Sequence, residues 1–319
     1  MLSSRIKTCY RLSLFSVLIR KKSWVLCAKV ELFIFIIALF ILTACSEQKN
    51  EQELTIATNS WIGYTPLFYA KEKGYLTKLH IKLLPNVSLA EASNVYSVGK
   101  ADMVTTTQHE YYALEKMDHN IVPIILLDRS YGGDMVLSNR TISQLKKAKK
   151  IDAYLEIDSI NAEILKDFMK YNHLQANKIT FIDKDQGKIA DLKPNKNKNM
   201  LIVTYSPYNI QLETNGFKEL ASTKNMNQIK VIDALCTNKN IIANNKQRLK
   251  KLKAIIDKSI REIQVDPKSS YDLVKPYLNN ISFGEYVDSL NLIKWINKPS
   301  KKLLHAIEPM GYKQKQLIQ

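Results

Sequence analysis

The chain is 319 residues long, enough for two ordinary domains, and 45% of it is hydrophobic, which excludes an intrinsically disordered chain. Its 47 Lys and Arg outnumber 30 Asp and Glu, for a net charge of +17, a balance that could suit nucleic acid or anionic lipid. The lysines, however, fall in stretches such as KPNKNKN (193–199) and NKQRLKKLK (245–253), which read as a loop and a solvated helix face, so nucleic acid is set aside as a partner.

Residues 1–31 carry seven basic side chains against Glu31 alone, and LFIFIIALFILTA (32–44) follows, ending at Cys45. This apolar run is shorter than the roughly 20 helical residues that cross a bilayer core, and it fits the hydrophobic stretch of a secretory signal. The residues LTAC (42–45) resemble the bacterial lipobox, whose cysteine is acylated and becomes the first mature residue. That resemblance implies a signal peptide over 1–44, lipidation at Cys45 and a polar tether over 45–53. The protein is then expected to be exported and lipid-anchored to the bacterial membrane, facing the periplasm or the cell exterior. Loss of 1–44 would lower the charge from +17 to +11 and leave only Cys45 and Cys236, so no intramolecular disulfide is expected. The long region ahead of the apolar run, with a second apolar patch at 12–19, suggests a translation start near Val17 or Leu18.

LTIATN (54–59) predicts a first strand. It runs into WIGYTP, and PLFYAKEKGYL then predicts a helix that opens at Pro66 and stops at Gly74. Further strands are expected at 81–87 and 102–105, with a helix between them ending at Gly99. A helix through Tyr111, Tyr112 and Leu114 and a strand at 121–128 extend the alternation, which is that of a parallel sheet. After RSYGG a strand leaves this sheet and the alternation restarts, with strands at 150–155, 179–183 and 200–208 and a helix at 159–171. An extended segment, 229–238, returns the chain. Leu249, Leu252, Ile256, Ile260 and Ile263 then recur at helical spacing, and amphipathic runs at 271–278, 283–295 and 303–307 make the C-terminus helical. The fold expected is two α/β lobes joined by two crossover strands, with a cleft between them. Residues 54–138 and 233–319 form lobe 1 in this reading, and 139–232 form lobe 2.

Several segments in order, WIGYTPLFYAKEKGYL, VGKADMV, LLDRSYGGDMVL, MLIVTYSPYNIQLETNGFKEL and KVIDALCTNKNII, resemble the nitrate/sulfonate/taurine-type substrate-binding lipoproteins of ABC transporters. The resemblance covers nearly all of the chain after Leu54. It implies a two-lobed, periplasmic-binding-protein-like α/β fold and a monomeric binding protein that closes on a small molecule and passes it to a membrane permease and its ATPase, with no cofactor. Two departures stand out: Ser206 where relatives often carry an acidic residue, and Gly132-Gly133-Asp134 where they often carry Gly-Ala-Asp.

Ligands of parallel α/β folds sit at the carboxyl ends of the strands. In lobe 1 those ends carry Asn59, Trp61 and Tyr64, then Thr106, Thr107 and Gln108, then Ser130 and Asp134. In lobe 2 they carry Glu156, Ser159 and Tyr205. Ser159 and Asn161 suit a helix start, whose free N–H groups could meet an anionic group. Nitrate or a sulfonate would call for basic groups, of which Arg129 is the one at a strand end; Tyr, Trp and carboxylates better suit a flat, amine-bearing molecule, such as the aminopyrimidine precursor of thiamine that some relatives bind. An enzyme is not expected. The pyrimidine-forming enzyme that shares this fold has a cysteine-rich iron-site motif, and here His80, His109, His119, His173 and His305 are scattered without metal-ligand spacing. His109-Glu110 reads as a solvated helix start. A sensor lipoprotein with the same binding fold would look identical in sequence.

Overall fold

The computed structural model describes residues 52–226 and 229–318, so the expected signal peptide, Cys45 and most of the tether lie outside the described residues. The first strand, β1 (Leu54–Asn59), is buried along nearly its whole length, as an apolar and threonine run must be inside a parallel sheet. A single 3-10 turn (Ile62–Tyr64) leads into α1 (Thr65–Glu72), which has Pro66 in its first turn. Next come β2 (Ile81–Asn86), α2 (Leu89–Ser97), β3 (Met103–Thr106), α3 (Gln108–Met117) and β4 (Ile121–Ser130). Ser88 caps α2, while Thr107 and Glu110 close a capping box on α3.

A second α/β unit follows: β5 (Asp134–Ser138), α4 (Ile142–Lys147), β6 (Ile151–Leu155), α5 (Ile160–Asn172), β7 (Ile179–Asp183), α6 (Gln186–Ala190), β8 (Met200–Tyr205), α7 (Tyr208–Thr214) and β9 (Lys218–Ser222). The chain returns through β10 (Ile232–Asn238), and then runs through α8 (Lys239–Val265), α9 (Pro267–Val274), α10 (Phe283–Leu290), β11 (Ile293–Trp295) and α11 (Lys301–Ile307).

The strands form two sheets. The first has the order β11-β4-β10-β3-β1-β2, with β1 parallel to β2 and β3 and β10 antiparallel between β3 and β4. The second has the order β7-β6-β8-β5-β9, with β6 parallel to both neighbours. This is the expected two-lobed α/β fold with two crossovers and a mainly helical C-terminus. The change of sheet comes earlier than residue 138, because Asp134–Ser138 pairs with β8 and β9 and so belongs to the second sheet. The crossovers touch one another: the Ser130 and Thr223 hydroxyls lie 2.7 Å apart, and Gly132 N–H donates to Thr223 Oγ1 at 2.8 Å. Gly132 adopts φ 113°, a conformation that favours glycine.

Other boundaries shift for local reasons. The strand expected over 200–208 stops at Tyr205, because Pro207 has no N–H for the ladder, and α7 starts at Tyr208. The amphipathic run over 283–295 is helical only to Leu290; Ile293–Trp295 pairs antiparallel with β4 at the sheet edge. The stripe on α8 is as expected, with all five of its Leu and Ile side chains buried in the core. Among the described residues, no helix is long and apolar enough to cross a membrane.

Candidate functional site

The loop after β1 turns inward. Trp61 and Tyr64 are buried, and each hands its polar atom to a buried carboxylate: Trp61 Nε1 donates to Asp128 Oδ1 at 3.1 Å, and Tyr64 Oη to Asp233 Oδ1 at 2.6 Å. Asp128 and Asp233 are register partners on β4 and β10, at the carboxyl end of β4 and the start of its antiparallel neighbour. Two glycines make room for Trp61, since a Cβ at Gly63 would collide with Asp128 and the indole, and one at Gly133 with the indole's far edge. Glycine at 133, where relatives often carry alanine, thus answers to the neighbouring tryptophan.

Lobe 2 approaches from the other side. Tyr205 meets Trp61 edge-on, with ring centroids 5.9 Å apart, and its hydroxyl accepts from Asn59 Nδ2 at 3.1 Å. Tyr208 donates across the gap to the Val87 carbonyl at 2.9 Å, and Ile62 N–H to the Ser206 carbonyl at 3.3 Å. The lobes are therefore closed on one another. The cavity left between the walls is only about 10 Å³, near the least that holds one water.

Asn59, Trp61, Tyr64, Thr107, Asp134 and Tyr205 line this space together with Leu89, Val231 and Asp233. The other candidates stand around it. Thr106 Oγ1 lies 3.2 Å from Cys236 Sγ, a buried free thiol whose pKa burial pushes up to about 12. Gln108 grips the second crossover, donating to Lys230 O at 2.6 Å and accepting from Ile232 N at 3.1 Å. Ser130 sits at the crossover contact and accepts from Asp134 N at 3.1 Å. Glu156 and Ser159 stand at the start of α5, where Ser159 caps Asn161 N and Glu156 Oε1 accepts from Gln186 N at 3.0 Å.

His109-Glu110 is not a solvated helix start. Glu110 is only 1% exposed. Its Oε2 accepts from Thr107 N at 2.9 Å and from the Thr107 hydroxyl, while its Oε1 crosses to lobe 2 and accepts from Ile160 N at 2.8 Å.

The electrostatics are one-sided. No Lys or Arg lines the space, and Arg129 alternates with Asp128 along β4 and so points to the other face. Around the space, the buried oxygens Asn59 Oδ1, Asp134 Oδ2 and Glu156 Oε2 have no hydrogen-bond partner, while the Asp128 and Asp233 carboxyls pair with one another. Burial raises the carboxyl groups, Asp128 to about 8, Asp134 to about 7 and Glu156 to about 8, and lifts Asp233 well above the usual range. The charge on Glu110 adds to the rise at Asp134, Glu156 and Asp233. Among the described residues no three His, Cys, Asp or Glu side chains converge as metal ligands. Asp128 and Asp233 escape a reading based on strand ends alone. The signal for them is a lone acid inside an apolar run, ILLD and VIDALC, because a buried carboxylate needs a partner.

Two α/β lobes, two crossovers and an aromatic, acidic seam between them define the periplasmic-binding-protein type of fold. The chain belongs to the NMT1/THI5-like family, whose model matches residues 61–270. The ligand-binding component of an ABC-type import system from Staphylococcus aureus is similar at TM-score 0.66 and 12% identity, covering 84% of this chain and 97% of its own. The periplasmic aliphatic sulphonate-binding protein SsuA from Escherichia coli gives 0.63 and 13%, covering 81% and 85%. The periplasmic nitrate-binding protein NrtA from Synechocystis gives 0.61 and 12%, covering 75% and 70%. At such identities the likeness establishes the fold. No curated protein matches the sequence.

Proposed function

We propose that this is a solute-binding protein, without catalytic activity of its own, that captures a small amine-bearing molecule between its lobes and delivers it to an ABC permease and its ATPase. In this reading it acts as a monomer, exported and held on the membrane by lipid on Cys45, with 45–53 as the tether. The observation that carries the ligand class is the set of buried oxygens that line the space beside the Trp61, Tyr64 and Tyr205 rings: the unpartnered Asn59 Oδ1 and Asp134 Oδ2, and the carboxyl of Asp233. Buried acceptors without donors are costly, and a flat molecule bearing N–H groups would satisfy them while its ring packs on the aromatics. No Lys or Arg lines the space to meet an anion. The seam is too narrow for anything larger than water, so binding includes parting of the lobes at the two crossovers, 131–133 and 229–231, and closure on the solute.

Melting curves of the full chain in detergent test this against aminopyrimidines, other heteroaromatic amines, nitrate and alkanesulfonates. A ligand at 100 times its dissociation constant adds about 2.7 kcal/mol of stability. Amine-bearing rings are expected to raise the melting temperature and the anions to leave it unmoved; stabilisation by nitrate or methanesulfonate alone refutes the ligand class.

A further inference from the structure

The N-terminal turn of α5 is where a helix would offer free N–H groups and a positive dipole end to an anionic solute. In this protein the position is taken. The Glu110 carboxylate, carried on α3 of lobe 1, reaches the first helical N–H of α5 in lobe 2, Ile160 N, at 2.8 Å. It does so fully buried, with its second oxygen fixed by the Thr107 N–H and hydroxyl. A carboxylate can accept at both oxygens at once, which a glutamine cannot. Beside it, Asn161 Nδ2 in the same first turn of α5 is a buried donor with no acceptor, so this corner of lobe 2 has spare capacity for a negative group.

We propose that Glu110 is a specificity-determining residue of the cleft: by seating its own carboxylate on the start of α5 it excludes anionic solutes and latches the empty lobes together. The inference rests on the solute-binding reading above, but its first test does not require any solute. Opening the lobes breaks the Glu110–Ile160 bond, so the latch opposes opening. The charge on Glu110 also opposes ionisation of Asp134, Glu156 and Asp233 nearby.

The contact can be broken from either lobe. Glu110→Gln is close to isosteric and leaves one acceptor for two sets of donors. Ile160→Pro removes the N–H itself at the first helical position, where proline is well tolerated, and Ser159 before it is already extended at φ −138° and ψ 176°. Ile160→Val keeps the N–H and is the control. Small-angle scattering of the full chain in detergent, with nothing added, is expected to show a closed particle for wild type and Ile160→Val, and a larger radius of gyration for Glu110→Gln and Ile160→Pro. Calorimetry with methanesulfonate is expected to show binding to Glu110→Gln at least about tenfold tighter than to wild type, the scale of a favourable helix-terminus charge interaction. Scattering that is the same for all four chains, or equal methanesulfonate affinity in wild type and Glu110→Gln, overturns the proposal. A wild-type chain that binds no amine while both variants open refutes the solute class proposed above and leaves the latch standing.

Discussion

Among single residues, the buried acids give the sharpest consequence. Asp128, Asp134 and Glu156 titrate at about 8, 7 and 8 in the folded chain, because burial penalises their charged forms, whereas unfolded carboxylates titrate near 4. The folded state therefore binds more protons than the unfolded state between these limits. Their contribution to stability is fully present below about pH 4 and is lost as pH rises through 7 to 8. The melting temperature of the ligand-free chain is expected to fall from pH 5 to pH 9, and Asp134→Asn to flatten that fall and raise stability at pH 9. A melting temperature that climbs over this range, or an unchanged slope in Asp134→Asn, contradicts the assignment. At this scale the sequence was partly legible. Trp61, Tyr64 and Tyr205 announce themselves as aromatics at strand ends next to Gly and Pro. Asp128, Asp233 and Glu110 do not, since nothing local distinguishes a buried acid from a solvated one until β4, β10 and α5 are brought together.

Among elements, long periodic segments were legible and short ones were not. β10 is an example of the first kind: IDALCTN is buried along nearly its whole length because it lies between β3 and β4, where Leu235 and Cys236 are fully buried. Leu235→Ala is expected to cost about 2–5 kcal/mol by removing buried atoms and leaving a cavity. Asn238→Ala, which deletes the side chain that caps Ile241 N at 2.9 Å at the start of α8, should cost about 1 kcal/mol. Denaturant midpoints would measure both, and a Leu235→Ala loss no larger than that of Asn238→Ala would contradict the placement of β10 at the centre of the sheet. β9 and β11 belong to the second kind. KELAS is half exposed, and IKW spans three residues after a helix, so neither has a period of its own. Each exists because a neighbour, β5 or β4, offers free edge groups to it.

The molecule as a whole is two sheets hinged at two crossovers. Order of elements alone made that architecture legible, because a β-α-β series that stops, restarts and returns leaves few other topologies. The closeness of the lobes was not legible, since Tyr208–Val87, Ile62–Ser206 and Glu110–Ile160 join residues more than 49 positions apart. The seam they enclose, with aromatic walls and acceptors lacking donors, is the feature on which the functional account depends. Its most direct test is a calorimetric titration of the full chain with 4-amino-5-hydroxymethyl-2-methylpyrimidine, repeated on a chain carrying Asp134→Asn and Asp233→Asn. The account predicts one-to-one binding to wild type that falls at least about tenfold in the double variant, the scale of two lost hydrogen bonds. Equal affinity in both chains, or binding of nitrate or methanesulfonate to wild type in place of the amine, would contradict it.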